Sequence, residues 1–175
     1  MWTIFIGFMG SGKTTLGNRL GAIMHRPVAD LDHLVSLRGN KTIPEIFREE
    51  GEAGFRDREL EALLALPPQD DLILSSGGGI VEIPRAASAL RERGSVFWLD
   101  LSWRAAWSRL RDTAPERPLV ADLGEEGLRA LYIRRRPMYA AAADFRLRSD
   151  RMDPDRLGRA VVTAALSRQG ADIRA

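Results

Sequence analysis

Eight residues near the start of the chain, Gly7-Phe8-Met9-Gly10-Ser11-Gly12-Lys13-Thr14, limit what it can fold into more than any other stretch. They follow an apolar, β-rich run, Trp2 to Ile6. They precede Lys13 to Met24, where Leu16, Leu20 and Ile23 recur at helical spacing. Strand, glycine turn and helix in that order match a phosphate-cradling loop, G-x-x-x-x-G-K-T. Its glycines let backbone N–H groups converge on phosphate oxygens, and the helix N-terminus adds its dipole. Gly10, Ser11, Gly12, Lys13, Thr14 and Thr15 are then the residues that hold a nucleoside triphosphate. Lys13 reaches the β- and γ-phosphates, and the Thr14 hydroxyl ligates Mg²⁺. The bland alternative is a glycine-rich turn with a surface lysine. Composition weakens it: of 26 cationic residues only Lys13 and Lys41 are lysines, so an ammonium stands where a guanidinium would not serve.

The rest of the chain repeats this alternation. Apolar runs at Pro27 to Leu31, Leu72 to Ser75, Val96 to Leu99 and 144 to 148 predict strands. Helical spacing covers His33 to Leu37, Ile43 to Glu49, Glu52 to Leu66, Ile83 to Arg93, 102 to 111, 125 to 141 and 154 to 168. Short apolar strands separated by helices predict an α/β fold with a parallel sheet covered on both faces. Ligands of such sheets gather at the carboxyl ends of the strands. Gly7 to Thr14, Asp30 to Asp32 and Gly77 to Gly79 all follow predicted strands. A mass of 19.5 kDa suits one domain, read as residues 1–168 with a short C-terminal tail at 169–175. The polar stretch 112–122 reads as a lid over the site.

What is missing narrows the setting. Without cysteine there is no disulfide, thiol nucleophile or thiolate metal site, which suits a reducing cytoplasm. No apolar run approaches the roughly 20 residues of a membrane span, and no cationic leader precedes the first strand. A formal net charge of +2 gives little pull on nucleic acid. The expectation is a cytoplasmic monomer acting on small molecules, with neither nucleic acid nor membrane as partner.

A phosphate loop does not name the acceptor. Small-molecule kinases, nucleotide kinases and GTPase-like switches all fit this length, and an Asn-Lys-x-Asp guanine signature is absent. Further motifs recur in a fixed order. They are Asp30-Leu-Asp32, Ile43-Pro-Glu-Ile-Phe47, Gly51-Glu52, Phe55-Arg56-x-x-Glu59, Gly77-Gly78-Gly79, Arg117-Pro118-Leu119 and Arg135-x-x-x-Tyr139. With the phosphate loop, this set resembles the shikimate kinase family over roughly Ile4 to Leu166. The resemblance implies a P-loop NTPase-type three-layer fold: a five-stranded parallel central sheet flanked by helices, plus a lid. It also implies transfer of the γ-phosphoryl group of ATP, with Mg²⁺, to the 3-hydroxyl of shikimate, a step toward chorismate and the aromatic amino acids. An acceptor-binding segment would span about 32–60.

The same resemblance distributes roles. Asp32 would bind acceptor hydroxyls and take the attacking one's proton, and Asp30, two residues earlier on an extended segment, would face the Mg²⁺ shell with Thr14. Read alone, the pair serves equally as a solvated strand end and helix cap. Arg56 and Glu59 share a helix face; Arg56 would bind the shikimate carboxylate, with Glu59 orienting it or a metal-bound water. In isolation they read as a surface ion pair. Phe47 and Phe55 would wall the carbocycle, or are simply core. Gly77, Gly78 and Gly79 would let backbone approach the substrate hydroxyls, or form a bare turn. Arg135, flanked by Arg134 and Arg136, would be a second carboxylate-binding arginine. Arg117, in the lid, would stabilise charge on the transferred phosphoryl group and complete a catalytic set with Lys13 and Asp32. Arg111, with Arg109 as its near equivalent, and Pro154 match adenine-contacting positions. A related kinase for gluconate or a nucleoside monophosphate is the alternative.

Overall fold

The computed structural model describes residues 1–67, 71–113 and 117–172. Five strands are ordered β2-β3-β1-β4-β5 and all pair in parallel. They are β1 (Trp2–Ile6), β2 (Val28–Asp30), β3 (Ile73–Ser75), β4 (Gly94–Asp100) and β5 (Phe145–Arg148). The helices are α1 (Lys13–Met24), α2 (Leu31–Gly39), α3 (Ile43–Leu64), α4 (Pro84–Arg93), α5 (Trp103–Leu110), α6 (Pro118–Ala142) and α7 (Pro154–Asp172). A 3₁₀ turn, Ile80–Glu82, leads into α4.

Side-chain alternation builds two cores, one on each face of the sheet. Phe5, Ile73, Phe97 and Leu99 face α1 and α7, meeting Leu16, Leu20, Leu157 and Val161. Ile4, Ile6, Leu74, Val96 and Trp98 belong to the other core, with Ile46, Leu63, Leu90 and Leu128 from α3, α4 and α6. Each large side chain so buried contributes about 1.5–3 kcal/mol. The three predicted layers are therefore present.

Two long helices are each bent by one glycine. In α3, Gly51 has φ 70° and ψ −174°, which separates the stretches predicted as 43 to 49 and 52 to 66. Thr42 and Glu45 form a capping box at its start: the Thr42 N–H donates to Glu45 Oε2 at 2.7 Å. In α6, Gly124 has φ 59°, and the helix begins at Pro118 rather than 125. The far part of the expected lid is thus helical, since Pro118 suits a first helical position and Leu119 and Val120 pack on the core. Residues 114–116 of that lid lie outside the described residues. At the other end α7 continues to Asp172, into the stretch read as a tail, of which 173–175 are not described. Among the described residues, no helix is long and apolar enough to cross a membrane.

Candidate active site

The chain leaving the carboxyl ends of β1, β2 and β3 forms one side of the sheet's C-terminal end. In the phosphate loop Gly10 and Gly12 have φ of 75° and 90°, which turns the chain into α1. Lys13 is buried; its Nζ donates to the carbonyls of Gly7 at 2.9 Å and Phe8 at 3.2 Å. Burial lowers its pKa to about 8, against the attraction of Asp32. Thr14 Oγ1 donates to Asp30 Oδ2 at 2.6 Å and lies 3.3 Å from Ser75 Oγ. Ser11 is buried, while Thr14 and Thr15 line the cleft.

Asp30 and Asp32 do not share an extended segment, because α2 starts at Leu31. Asp30 caps that helix, its Oδ1 accepting from the His33 N–H at 3.3 Å, while its other oxygen meets Thr14. Asp32 sits in the first turn, where a helix N-terminus favours an anion. Its Oδ1 is buried without a hydrogen-bond partner, and burial together with Asp30 raises its pKa.

Two cavities open on these residues. One, of about 240 Å³, is lined by Phe47, Phe55, Arg56, Gly79 and Arg135, with Ile43, Pro118 and Leu119 as further apolar wall. The other, about 370 Å³, runs along Gly10, Gly12 to Thr15, Asp30, Ser76 and Arg109. Met9, Asp32, Gly78 and Arg117 line both. A carboxylate and a guanidinium therefore stand where the cavities join.

The first cavity is a cluster of charges brought from distant parts of the chain. Glu59 is fully buried, so its pair with Arg56 is no surface ion pair: Arg56 donates to Glu59 Oε2, while Glu59 Oε1 has no partner. Burial raises the Glu59 pKa to about 7 in spite of Arg56. Arg135 is buried and donates to Glu82 Oε2 from Nε at 3.0 Å and also from its terminal nitrogen. Of its neighbours, Arg134 reaches Glu82 Oε1 at 2.6 Å from the exposed side, and Arg136 turns to Asp100 at 2.8 Å. Arg135 alone of the three lines the cavity. Phe47 and Phe55 pack with ring centroids 4.9 Å apart.

The surroundings of Gly77, Gly79, Arg111 and Pro154 bear on the roles expected of them. Gly77 and Gly79 make room for the protein's own side chains. A Cβ on Gly77 would lie 1.8 Å from Glu59 Oε1, and one on Gly79 would lie 2.0 Å from an Arg56 nitrogen. Gly78 lies between both cavities, its carbonyl accepting from the Tyr139 hydroxyl. Arg111 is turned away, lining a separate hollow with Trp103, Trp107 and Glu125. It is Arg109 that reaches the phosphate loop, donating to the Gly10 carbonyl at 2.7 Å. Pro154 opens α7 and lines a hollow with Arg19 and Ile23 of α1, apart from the phosphate-loop cavity. Met9 and Glu82 were not anticipated: a lone methionine in a loop and a lone acid in a turn carry no pattern.

The set of hydroxyl and carboxylate oxygens at Thr14 and Asp30 suits a hard cation that keeps several waters. Among the described residues, no group of three or more metal-ligating side chains exists.

The profile of the family described as shikimate kinase matches residues 9–167. The chain belongs to the shikimate kinase family. A shikimate kinase from Chromohalobacter salexigens is 42% identical over 168 residues, covering 94% of this chain and 89% of that one. One from Burkholderia pseudomallei is 38% identical over 148 residues, 85% of this chain and 80% of the relative. The solved structure of shikimate kinase from Acinetobacter baumannii in complex with shikimate superposes with a TM-score of 0.89 at 32% identity, covering 95% of this chain and 93% of that one. The protein is an ATP-dependent kinase of the shikimate kinase class. Its sheet order and loop placement are those of a P-loop kinase.

Proposed function

We propose that this site transfers the γ-phosphoryl group of ATP to the 3-hydroxyl of shikimate, giving shikimate 3-phosphate and ADP. The observation that carries the reading is the junction of the two cavities at Asp32 and Arg117. Nucleotide phosphates lie along the phosphate loop, with Lys13 exchanging its loop carbonyls for phosphate oxygens. Thr14 and Asp30 would hold Mg²⁺, which, when bound, neutralises charge on the β- and γ-phosphates.

Shikimate, a carbocycle with three hydroxyls and a carboxylate, suits the other cavity. Phe47 and Phe55 offer it apolar faces, while Arg56 and Arg135 offer its carboxylate two guanidinium groups. That leaves a hydroxyl directed at Asp32. The raised Asp32 pKa and its unpartnered oxygen favour taking a proton as the hydroxyl oxygen bonds to phosphorus and the bond to the β-phosphate breaks. Arg117 stabilises the charge spread over the transferred oxygens. Closing the cavities also keeps water from competing as acceptor.

The test is ADP release measured with shikimate, gluconate, AMP and CMP in turn. Turnover with shikimate is expected; turnover with another acceptor and none with shikimate would overturn the reading.

A further inference from the structure

The two arginines offered to the acceptor already have carboxylate partners, and these partners differ in kind. Glu82 holds Arg135 through two nitrogens, and Arg134 closes over its other oxygen. Its side chain is 18% exposed. Glu59 holds Arg56 from the interior, where Gly77 leaves it space. Glu52 is different. Its Oε1 lies 2.8 Å from an Arg56 nitrogen and 3.5 Å from an Arg135 nitrogen, so one carboxylate oxygen spans both guanidinium groups. That is the geometry an incoming carboxylate needs. Yet the Glu52 side chain is 42% exposed, and it follows the Gly51 bend, around which a Cβ would meet open space.

We infer that Glu52 is a specificity-determining residue: its carboxylate bridges Arg56 and Arg135 where the acceptor's carboxylate must bind, and the acceptor binds by exchanging with it. The inference rests on the reading of this cavity as the shikimate site. Charge balance supports it. Arg56, Arg134 and Arg135 face Glu52, Glu59 and Glu82, so Glu52 offsets positive charge that a ligand carboxylate would otherwise meet. Glu59 is fully buried and Glu82, 18% exposed, is held by three arginine nitrogens, whereas Glu52, 42% exposed, is the carboxylate of the three nearest to water. Such an exchange raises the threshold for anions that touch one arginine and passes those that bridge both. Glu82 and Glu59 are positioning residues by the same geometry, since each grips an arginine from behind.

The two kinds of glutamate predict opposite signs. Glu52→Gln removes the competing charge, so Kd for shikimate, measured by calorimetry on the full chain, falls. An ion pair this exposed limits the gain to about two- to fivefold. KM for shikimate falls in parallel, with a smaller change in kcat, and inhibition by benzoate, a bare carboxylate, strengthens. Glu82→Gln loosens Arg135 and raises Kd. Glu52→Asp, which keeps the charge on a shorter arm, lies nearer the wild type than Gln does. If Glu52 merely positions the arginines, Glu52→Gln raises Kd as Glu82→Gln does, and the inference is overturned; an unchanged Kd overturns it equally. Failure of the wild-type enzyme to bind or phosphorylate shikimate would instead overturn the acceptor assignment, so the two failures are distinct.

Discussion

Gly10 and Gly12 in the phosphate loop sit at φ 75° and 90°, and a Cβ added to Gly12 would meet nothing within 4 Å. Across the junction, Gly77 has no such backbone, but its missing Cβ leaves room for the Glu59 carboxylate. The same residue type thus answers two demands. On the nucleotide side, successive residues of one loop turn the backbone into α1, and Lys13, Asp30 and Arg109 line the cavity beside it. On the acceptor side, charges from α2, α3, the 3₁₀ turn and α6 are packed together, and glycine clears space for them. One half of the site is built largely by one contiguous loop; the other is assembled from charges distant in the sequence.

The acceptor half depends on a charge at one atom, and the severest way to break it is Asp32→Asn. The amide cannot take the hydroxyl's proton, so kcat is expected to fall by at least about 10²-fold, while ATP affinity, set by the other half, stays close to wild type. Single-turnover rates with separately measured ATP binding check this; an unchanged rate would remove Asp32 from the proton-accepting role. Next in size is the effect of pH through Glu59. Its pKa is raised from 4.5 to about 7 in the folded chain, so between these values the native state holds a proton that the unfolded state has lost. This contribution to stability is fully present below about pH 4.5 and is lost as pH rises through about 7, by roughly 3 kcal/mol. Asp32, shifted the same way, adds to the trend. Chemical denaturation at pH 5 and pH 8 should show a markedly smaller difference in Glu59→Gln than in the wild type; an equal difference would mean that Glu59 stays ionised throughout.

The two glycines sharpen the contrast directly. Gly77→Ala places a methyl 1.8 Å from Glu59 Oε1, forcing Glu59 and then Arg56 to shift; overpacking of this sort costs about 2 kcal/mol. KM for shikimate should rise more than KM for ATP. Gly12→Ala meets no neighbour but keeps a left-handed backbone, costing about 1 kcal/mol, and its kinetic penalty should fall on ATP. Denaturation midpoints and the two KM values measure both. The contrast between halves fails if both variants affect the same substrate.

This division also decides what could be read from the sequence. The phosphate loop was legible because its determinants are contiguous. So were the sheet and its two faces, since strand and helix periodicity are local properties. Arg56 with Glu59 was legible as a helical pair, but not as a buried one: burial depends on Gly77 and the sheet edge behind it, far along the chain. Glu82 was invisible, since an acid two residues before a helix-starting proline looks like any solvated turn until α6 lays Arg134 and Arg135 against it. The extent of α6 was misjudged because the prolines and polar residues of 112–122 suggest a loop. Pro118 instead starts the helix, and the Gly124 bend lets the first turn and the remainder follow different axes.

Arg109 and Arg111 give the smallest effect and the most direct check on local geometry. Both were candidates because sequence distance barely separates them, yet residues two apart on a helix point in widely different directions. Through α5 this sends Arg109 to the Gly10 carbonyl and leaves Arg111 in solvent beside Asp112 at 3.6 Å. Arg109 therefore supports the loop through one backbone carbonyl, a hydrogen bond to a charged donor worth about 1.5 kcal/mol at the lower limit. Arg109→Ala should raise KM for ATP a few-fold, with little change in KM for shikimate. Arg111→Ala should move neither beyond about twofold, as for an exposed ion pair. Steady-state kinetics with each substrate varied would distinguish them. The reverse pattern would mean that α5 is rotated relative to the phosphate loop when nucleotide is bound.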